Sequence, residues 1–316
     1  MRALLWDGAT VQLVDRAVPI ADESMAVVRV HLAGICNTDL ELTKGYMGFR
    51  GVLGHEFVGE VSDGPAPWRG RRVVGEINFA CGHCATCRAG RSRHCPARRV
   101  MGILGADGAF AEYVAVPVAN LRAVPDTVGD DDAVFTEPLA AAFEILAQIA
   151  VAPGVSATVL GDGKLAQLTA QVLAQAGARV LAVGKHDDKL ALLRRRGIDT
   201  VLLDAWRRTP APLVVEATGT AQGFALAAAA TEPRGTLVLK STVATPAPLD
   251  LSPLVINEIT LVGSRCGAFE PALQALADGR VDVRPLIAAR HPLREGIAAL
   301  QHAAQPGVLK VLIEIA

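Results

Sequence analysis

The sequence predicts an α/β protein of two domains, one mostly β and the other a doubly wound parallel sheet. Three observations carry that expectation. The chain has 316 residues, 51% hydrophobic and 20% charged, enough for two cores. Up to about Pro125 it shows short β-type runs broken by Gly, Pro and Asp. From about Asp130 the texture changes to Ala- and Leu-rich helical stretches alternating with short apolar runs.

In chain order, the β-type runs of the first half fall at 26–31, 57–61, 71–76 and 109–116. In the second half the apolar runs fall at 158–160, 179–183, 200–203, 213–216, 236–239 and 259–262. Strands separated by helices require right-handed crossovers, and hence a parallel sheet covered on both faces. After Gly267 a helical segment (270–278) and a strand-like run (308–315) break the alternation, so they are assigned back to the first domain. The expected domains are therefore 1–126 with 267–316, and 127–266, packed closely with a cleft between them.

Charge narrows the partners. Lys and Arg number 31 against 32 Asp and Glu, a net charge of −1, with no long block of one sign. No electrostatic footprint for nucleic acid or an anionic membrane is present, and a small-molecule substrate is expected. The start, Met1-Arg2-Ala3-Leu4-Leu5-Trp6-Asp7, reaches an acid too soon for a secretion signal. No later stretch approaches the ~20 apolar residues of a membrane span, so a soluble cytoplasmic protein is expected.

Four of the six cysteines crowd one segment, Cys81-x2-Cys84-x2-Cys87-x7-Cys95. In a reducing compartment such a cluster reads as metal ligands rather than disulfides. Four thiolates close a tetrahedral shell around zinc and leave no open position, which is the structural arrangement. An iron–sulfur cluster is the rival, since the same start followed by Pro96 resembles the ferredoxin run, but the fourth cysteine comes later here.

A second set consists of Cys36, in Gly34-Ile35-Cys36-Asn37-Thr38-Asp39, with His55-Glu56 after Gly54, and Glu137 in Thr136-Glu137-Pro138. Thiolate, imidazole and carboxylate together make a zinc site with three protein ligands and a fourth position for water or substrate. On spacing alone, ordinary buried side chains remain the equal alternative.

Val159-Leu160-Gly161-Asp162-Gly163-Lys164-Leu165-Ala166 fits Gly-x-Gly-x-x-Gly/Ala between a strand and a helix. Gly161 permits the tight turn, Gly163 lets a pyrophosphate approach the backbone, and the helix N-terminus attracts the phosphates. The next strand ends Val183-Gly184-Lys185-His186, where an NAD-binding protein commonly presents an acid to the ribose. Small and cationic residues there suit the 2′-phosphate of NADP, although Asp187 could serve a ribose instead.

The strings Gly-Ile-Cys-x-Thr-Asp, Leu53-Gly54-His55-Glu56-x2-Gly59-x-Val61, the four-cysteine spacing and Asp107-Gly108-Ala109-Phe110-Ala111-Glu112-Tyr113 follow one another in this order, ahead of the glycine-rich turn. In that combination the chain resembles the zinc-containing medium-chain dehydrogenase/reductase family. The resemblance implies a GroES-like catalytic domain and a Rossmann domain, an alcohol/carbonyl substrate (secondary alcohol, polyol or sugar), and a homo-oligomer, dimer or tetramer. It implies one structural zinc on the four cysteines and one catalytic zinc on Cys36, His55 and a carboxylate, with Glu137 ranked before Glu56. Thr38 would pass the alcohol proton outward, and Tyr46, Met47, Phe49, Arg265 and Cys266 are candidates near the substrate. Two departures stand out: Glu41 occupies the place of the relay histidine of many relatives, and residues 44–51 form a compact segment. The competing readings are a zinc-independent NADPH-dependent enone or quinone reductase, which retention of Cys36, His55 and Glu137 disfavours, and a non-catalytic zinc-binding module.

Overall fold

Contacts divide the computed structural model, which describes residues 1–241 and 248–315, into two units. The first comprises Met1–Glu137, Phe269–Gly279 and Leu286–Ala316, and the second Pro138–Ala268 and Arg280–Pro285.

The second unit is built on six parallel strands in the order Asp199–Leu202, Arg179–Gly184, Ser156–Leu160, Ala211–Glu216, Thr231–Leu239, Thr260–Gly263. Strand side chains alternate between faces, so both faces need cover. Val159, Ala182 and Val215 pack with Ala170, Leu173 and Leu190 of the helices Lys164–Gln175 and Asp187–Arg194. Their strand neighbours Leu160, Val183 and Val214 pack with Trp206, Phe224 and Ala227 on the opposite face. The order reverses between Ser156–Leu160 and Ala211–Glu216, and such a switch point leaves a crevice at the carboxyl ends of the strands, where ligands bind.

In the first unit the Val-rich strand Met25–Gly34 is the hub. It pairs antiparallel with Glu56–Asp63, Tyr113–Pro117 and Lys310–Glu314. Its register sets Gly34 opposite both Glu56 and Leu312, which brings Lys310, from far along the chain, into the neighbourhood of residues 34–56.

Three differences from the sequence expectation have local causes. Residues 109–112 leave the expected strand 109–116 because their backbone is engaged elsewhere. Ala109 and Phe110 N–H donate to the Gly54 and Leu53 carbonyls (both 2.9 Å), and Leu4 N–H donates to the Phe110 carbonyl (2.8 Å). The N-terminal hairpin Arg2–Trp6/Val11–Asp15 was not expected, and its second strand is poorly buried, which weakens the hydrophobic alternation. The strand Ile287–Pro292 escaped notice for the same reason.

The 109–112 segment clamps the loop before His55. Gly54 has φ +96°, and a Cβ there would enter the Phe110 ring, while a Cβ on Gly108 would strike the Gly54 carbonyl. Gly54→Ala is expected to cost about 3 kcal/mol through left-handed strain plus overpacking. Urea denaturation tests this, and an unchanged midpoint would show that the loop relaxes freely.

Candidate active site and metal centres

Cys36 caps the N-terminus of the short helix Asn37–Leu42, directly after the hub strand. The cap is reciprocal: the Cys36 side chain faces the Asp39 N–H, and Cys36 N–H donates to Asp39 Oδ2 at 2.8 Å. Asp39 is fully buried, and its Oδ1 accepts from Gly54 N–H at 3.2 Å. The same oxygen lies 3.2 Å from His55 Nδ1, too poorly aligned for a hydrogen bond. Burial lowers the pKa of His55, yet the Asp39 carboxylate and Cys36 beside it hold it well above the ordinary imidazole value.

Glu56 begins the strand after His55 and is 1% exposed. Its Oε2 accepts from the buried Lys310 ammonium, which also donates to the Ile35 carbonyl at 3.4 Å and lies 5.5 Å from the centre of the Phe135 ring. Gly34 makes room for this pair, since a Cβ there would come within 2.5 Å of Glu56 Oε2. Oε1 of Glu56 is buried without a hydrogen-bond partner. Ligand atoms of Cys36, His55 and Glu56 all lie within 4.8 Å of one another. A buried orphan carboxylate oxygen beside a thiol and an imidazole fits a divalent metal that takes mixed S, N and O donors. Glu137 is outside this group, at the second position of the helix Thr136–Gln148. Thr38 Oγ1 is 3.7 Å from Cys36 Sγ.

The four cysteines form a second compact group, again with ligand atoms within 4.8 Å of one another. Cys84 caps the single helical turn Ala85–Arg88 and accepts from Cys87 N–H at 3.4 Å. That bond leads the effects that lower its thiol to about 6, whereas desolvation and then Cys84 push Cys87 up to about 12. Four sulfurs this close repel one another when ionised, and a dication bound among them would offset that repulsion. All six cysteines are free thiols.

At the glycine-rich turn, Gly161 has φ +124° and a Cβ there would come within 2.8 Å of the Ala217 carbonyl, whereas Gly163 faces open space. Gly163 is the N-cap of the helix beginning Lys164-Leu165, with no side-chain cap. The small Gly163 backbone and this helix N-terminus form a cradle that fits a pyrophosphate. Asp162 is buried, Gly184 ends the adjacent strand, and Lys185 and His186 are exposed beyond it. Asp187, the alternative ribose partner, pairs with Arg194 at 2.9 Å.

The remaining candidates spread out. Glu41 bonds Lys44 at the surface, Met47 is exposed, and Phe49 is buried. Tyr46 begins the turn Tyr46–Gly48, and Arg265 and Cys266 follow the strand Thr260–Gly263. Sequence reasoning assigned no role to Asp39, Lys310 or Gly34. The signals were an acid three residues after a capping position and a lysine inside the apolar run 308–315.

Comparison with known proteins agrees with this architecture. The family model described as alcohol dehydrogenase GroES-like domain matches residues 22–126, and the one described as zinc-binding dehydrogenase matches 165–278. The chain is 30% identical to a 2-dehydro-3-deoxy-L-galactonate 5-dehydrogenase of Pseudoalteromonas atlantica, covering 90% of each protein. It is also 30% identical to an L-threonine 3-dehydrogenase of Streptomyces avermitilis, covering 99% of each. A Sinorhizobium meliloti 1021 structure, titled as a zinc-binding dehydrogenase bound to NADP, superposes with a TM-score of 0.91 at 26% identity over 99% of both chains. With a GroES-like domain, a Rossmann-like parallel sheet and these relatives, the chain belongs to the zinc-containing medium-chain dehydrogenase family.

Proposed function

We propose that this chain is a zinc-dependent dehydrogenase that interconverts a hydroxylated small molecule (a secondary alcohol, polyol or sugar) and its carbonyl compound, with NADP(H) as the preferred cofactor. The observation that carries the reading is the grouping of half-buried Cys36 with buried His55 and Glu56, whose orphan carboxylate oxygen has no hydrogen-bond partner. Three donors leave a coordination position for substrate, whereas the four cysteines close theirs, so the first site is catalytic and the second structural. Relatives named for a deoxy-sugar acid and for threonine support a small polar substrate. Free cysteines suit a reducing cytoplasm, and no helix among the described residues is long and apolar enough to cross a membrane. A homo-oligomeric state, dimer or tetramer, follows from the family resemblance.

When bound, zinc supplies a Lewis acid for the substrate oxygen, and the nicotinamide exchanges a hydride with the substrate carbon. The chain's own residues do the rest. Asp39 sets the Cys36 backbone and the loop before His55, so two donors are positioned by one carboxylate. Lys310 occupies Oε2 of Glu56, so Oε1 would be the oxygen left to hold the zinc. In oxidation the alcohol loses a hydride from carbon and a proton from oxygen, and the hydroxyl of Thr38, beside Cys36, carries that proton outward. Gly161 and Gly163 would hold the pyrophosphate, with the N-terminal N–H groups around Lys164 and Leu165 as donors.

Three outcomes test the reading. Cys36→Ser is expected to lower alcohol-dependent NADP reduction by about 100-fold or more. Glu56→Gln should do the same and lose zinc, where a larger loss with Glu137→Gln would transfer the ligand role to Glu137. Saturation kinetics should give kcat/KM with NADP about 10-fold or more above that with NAD, through charge-assisted contacts to the 2′-phosphate. A higher value with NAD would overturn the preference.

A further inference from the structure

Asp162, the middle residue of the glycine turn, is 8% exposed, yet its side chain reaches the end of the neighbouring strand. Oδ2 accepts from Lys185 N–H at 2.6 Å and His186 N–H at 2.9 Å, and lies 2.9 Å from His186 Nδ1. Lys189, itself buried, approaches Oδ1 at 3.6 Å. Gln167 carries the tie onward, donating to the Lys189 carbonyl at 2.9 Å. Gly184 is what lets the carboxylate in, because a Cβ there would come within 2.7 Å of both Asp162 Cβ and Oδ2.

A carboxylate beside an anion site should repel the anion, but this one is buried and engaged. Burial raises its pKa, and the hydrogen bonds from His186 and Lys185 together with the Lys189 charge outweigh burial and hold it below the ordinary value, so it stays ionised. Both oxygens face cationic or N–H groups, which leaves it badly placed to accept from a ribose. The formal charges of Asp162, Lys185 and Lys189 sum to +1 even before His186 is counted. What the carboxylate does is fix the backbone of two exposed residues, Lys185 and His186, in one pose.

We infer that Asp162 is a positioning residue for cofactor choice: from inside the glycine turn it anchors Lys185 and His186 so that they receive the 2′-phosphate of the adenosine ribose. This rests on the NADP reading above. It also implies that residue 162 and residue 184 act as a pair, a carboxylate in one strand's turn filling the space left by a missing side chain at the next strand's end.

Equilibrium binding of adenosine 2′,5′-bisphosphate and of 5′-AMP to the zinc-loaded protein, by calorimetry, tests the inference. The wild type should bind the bisphosphate about 10-fold or more tighter than 5′-AMP. Asp162→Ala should cut that ratio about 10-fold, Lys185→Ala should do likewise, and the double variant should lose little more, because the first acts through the second. Asp162→Asn keeps an oxygen for the two N–H groups and should restore most of the ratio. An Asp162→Ala ratio that is unchanged or higher, or that persists because both ligands weaken equally, would overturn the positioning role. A wild type without preference for the bisphosphate would instead sink the NADP reading itself, and the role of Asp162 in it.

Discussion

Asp39 is the constraint on which the first unit's chemistry depends. A fully buried carboxylate is costly unless its lone pairs are used, and here they are used on parts of the chain that must meet. It takes the Cys36 amide on one oxygen and the Gly54 amide on the other, with His55 alongside. Cys36 leaves the end of one strand and His55 precedes the start of its antiparallel neighbour, so the sheet register brings them near and Asp39 locks the approach. The Gly54–Phe110 clamp closes the loop from the other side. Removing the carboxylate would strand a buried and a half-buried amide as well as untether two candidate donors.

Two groups of candidate metal ligands stand in one unit, and their surroundings differ. The four-cysteine group gathers four sulfurs within 4.8 Å of one another, the donor set of a closed tetrahedral shell. The Cys36 group is balanced differently. Lys310 already offsets the negative charge of Glu56, and Asp39 faces His55, so the donors sit in a frame that is largely compensated before any ion arrives. Such a frame suits the exchangeable fourth position proposed for it, whereas a four-sulfur shell would have none to exchange.

Much of this was legible in the sequence, and the limits have physical causes. The doubly wound sheet shows itself because buried parallel strands are continuous apolar runs, and all six were marked within a few residues. The cysteine cluster is equally plain because its ligands are close in sequence. Cys36 and His55 are named by local strings, but for the partner carboxylate the sequence ranks Glu137 before Glu56, since the two have the same chemistry and only strand register sets Glu56 beside Lys310. The hairpin at the start and the strand Ile287–Pro292 were hidden by weak alternation. Asp162 is legible as part of the cofactor turn, but its hold on Lys185 and His186 is not, because these partners lie 23 and 24 residues away and pattern alone does not show side-chain reach.

The central claim is that one chain holds a closed structural ion and a separate, open catalytic one. Zinc content per chain, measured on the wild type and on a Cys36→Ser, His55→Ala double variant, tests it directly. The account requires two zinc ions falling to one, with the remaining ion still held by the four cysteines and the fold retained. One zinc in both proteins would contradict it, because the Cys36, His55, Glu56 set would then be an ordinary buried cluster and the reduction chemistry would have to proceed without a metal.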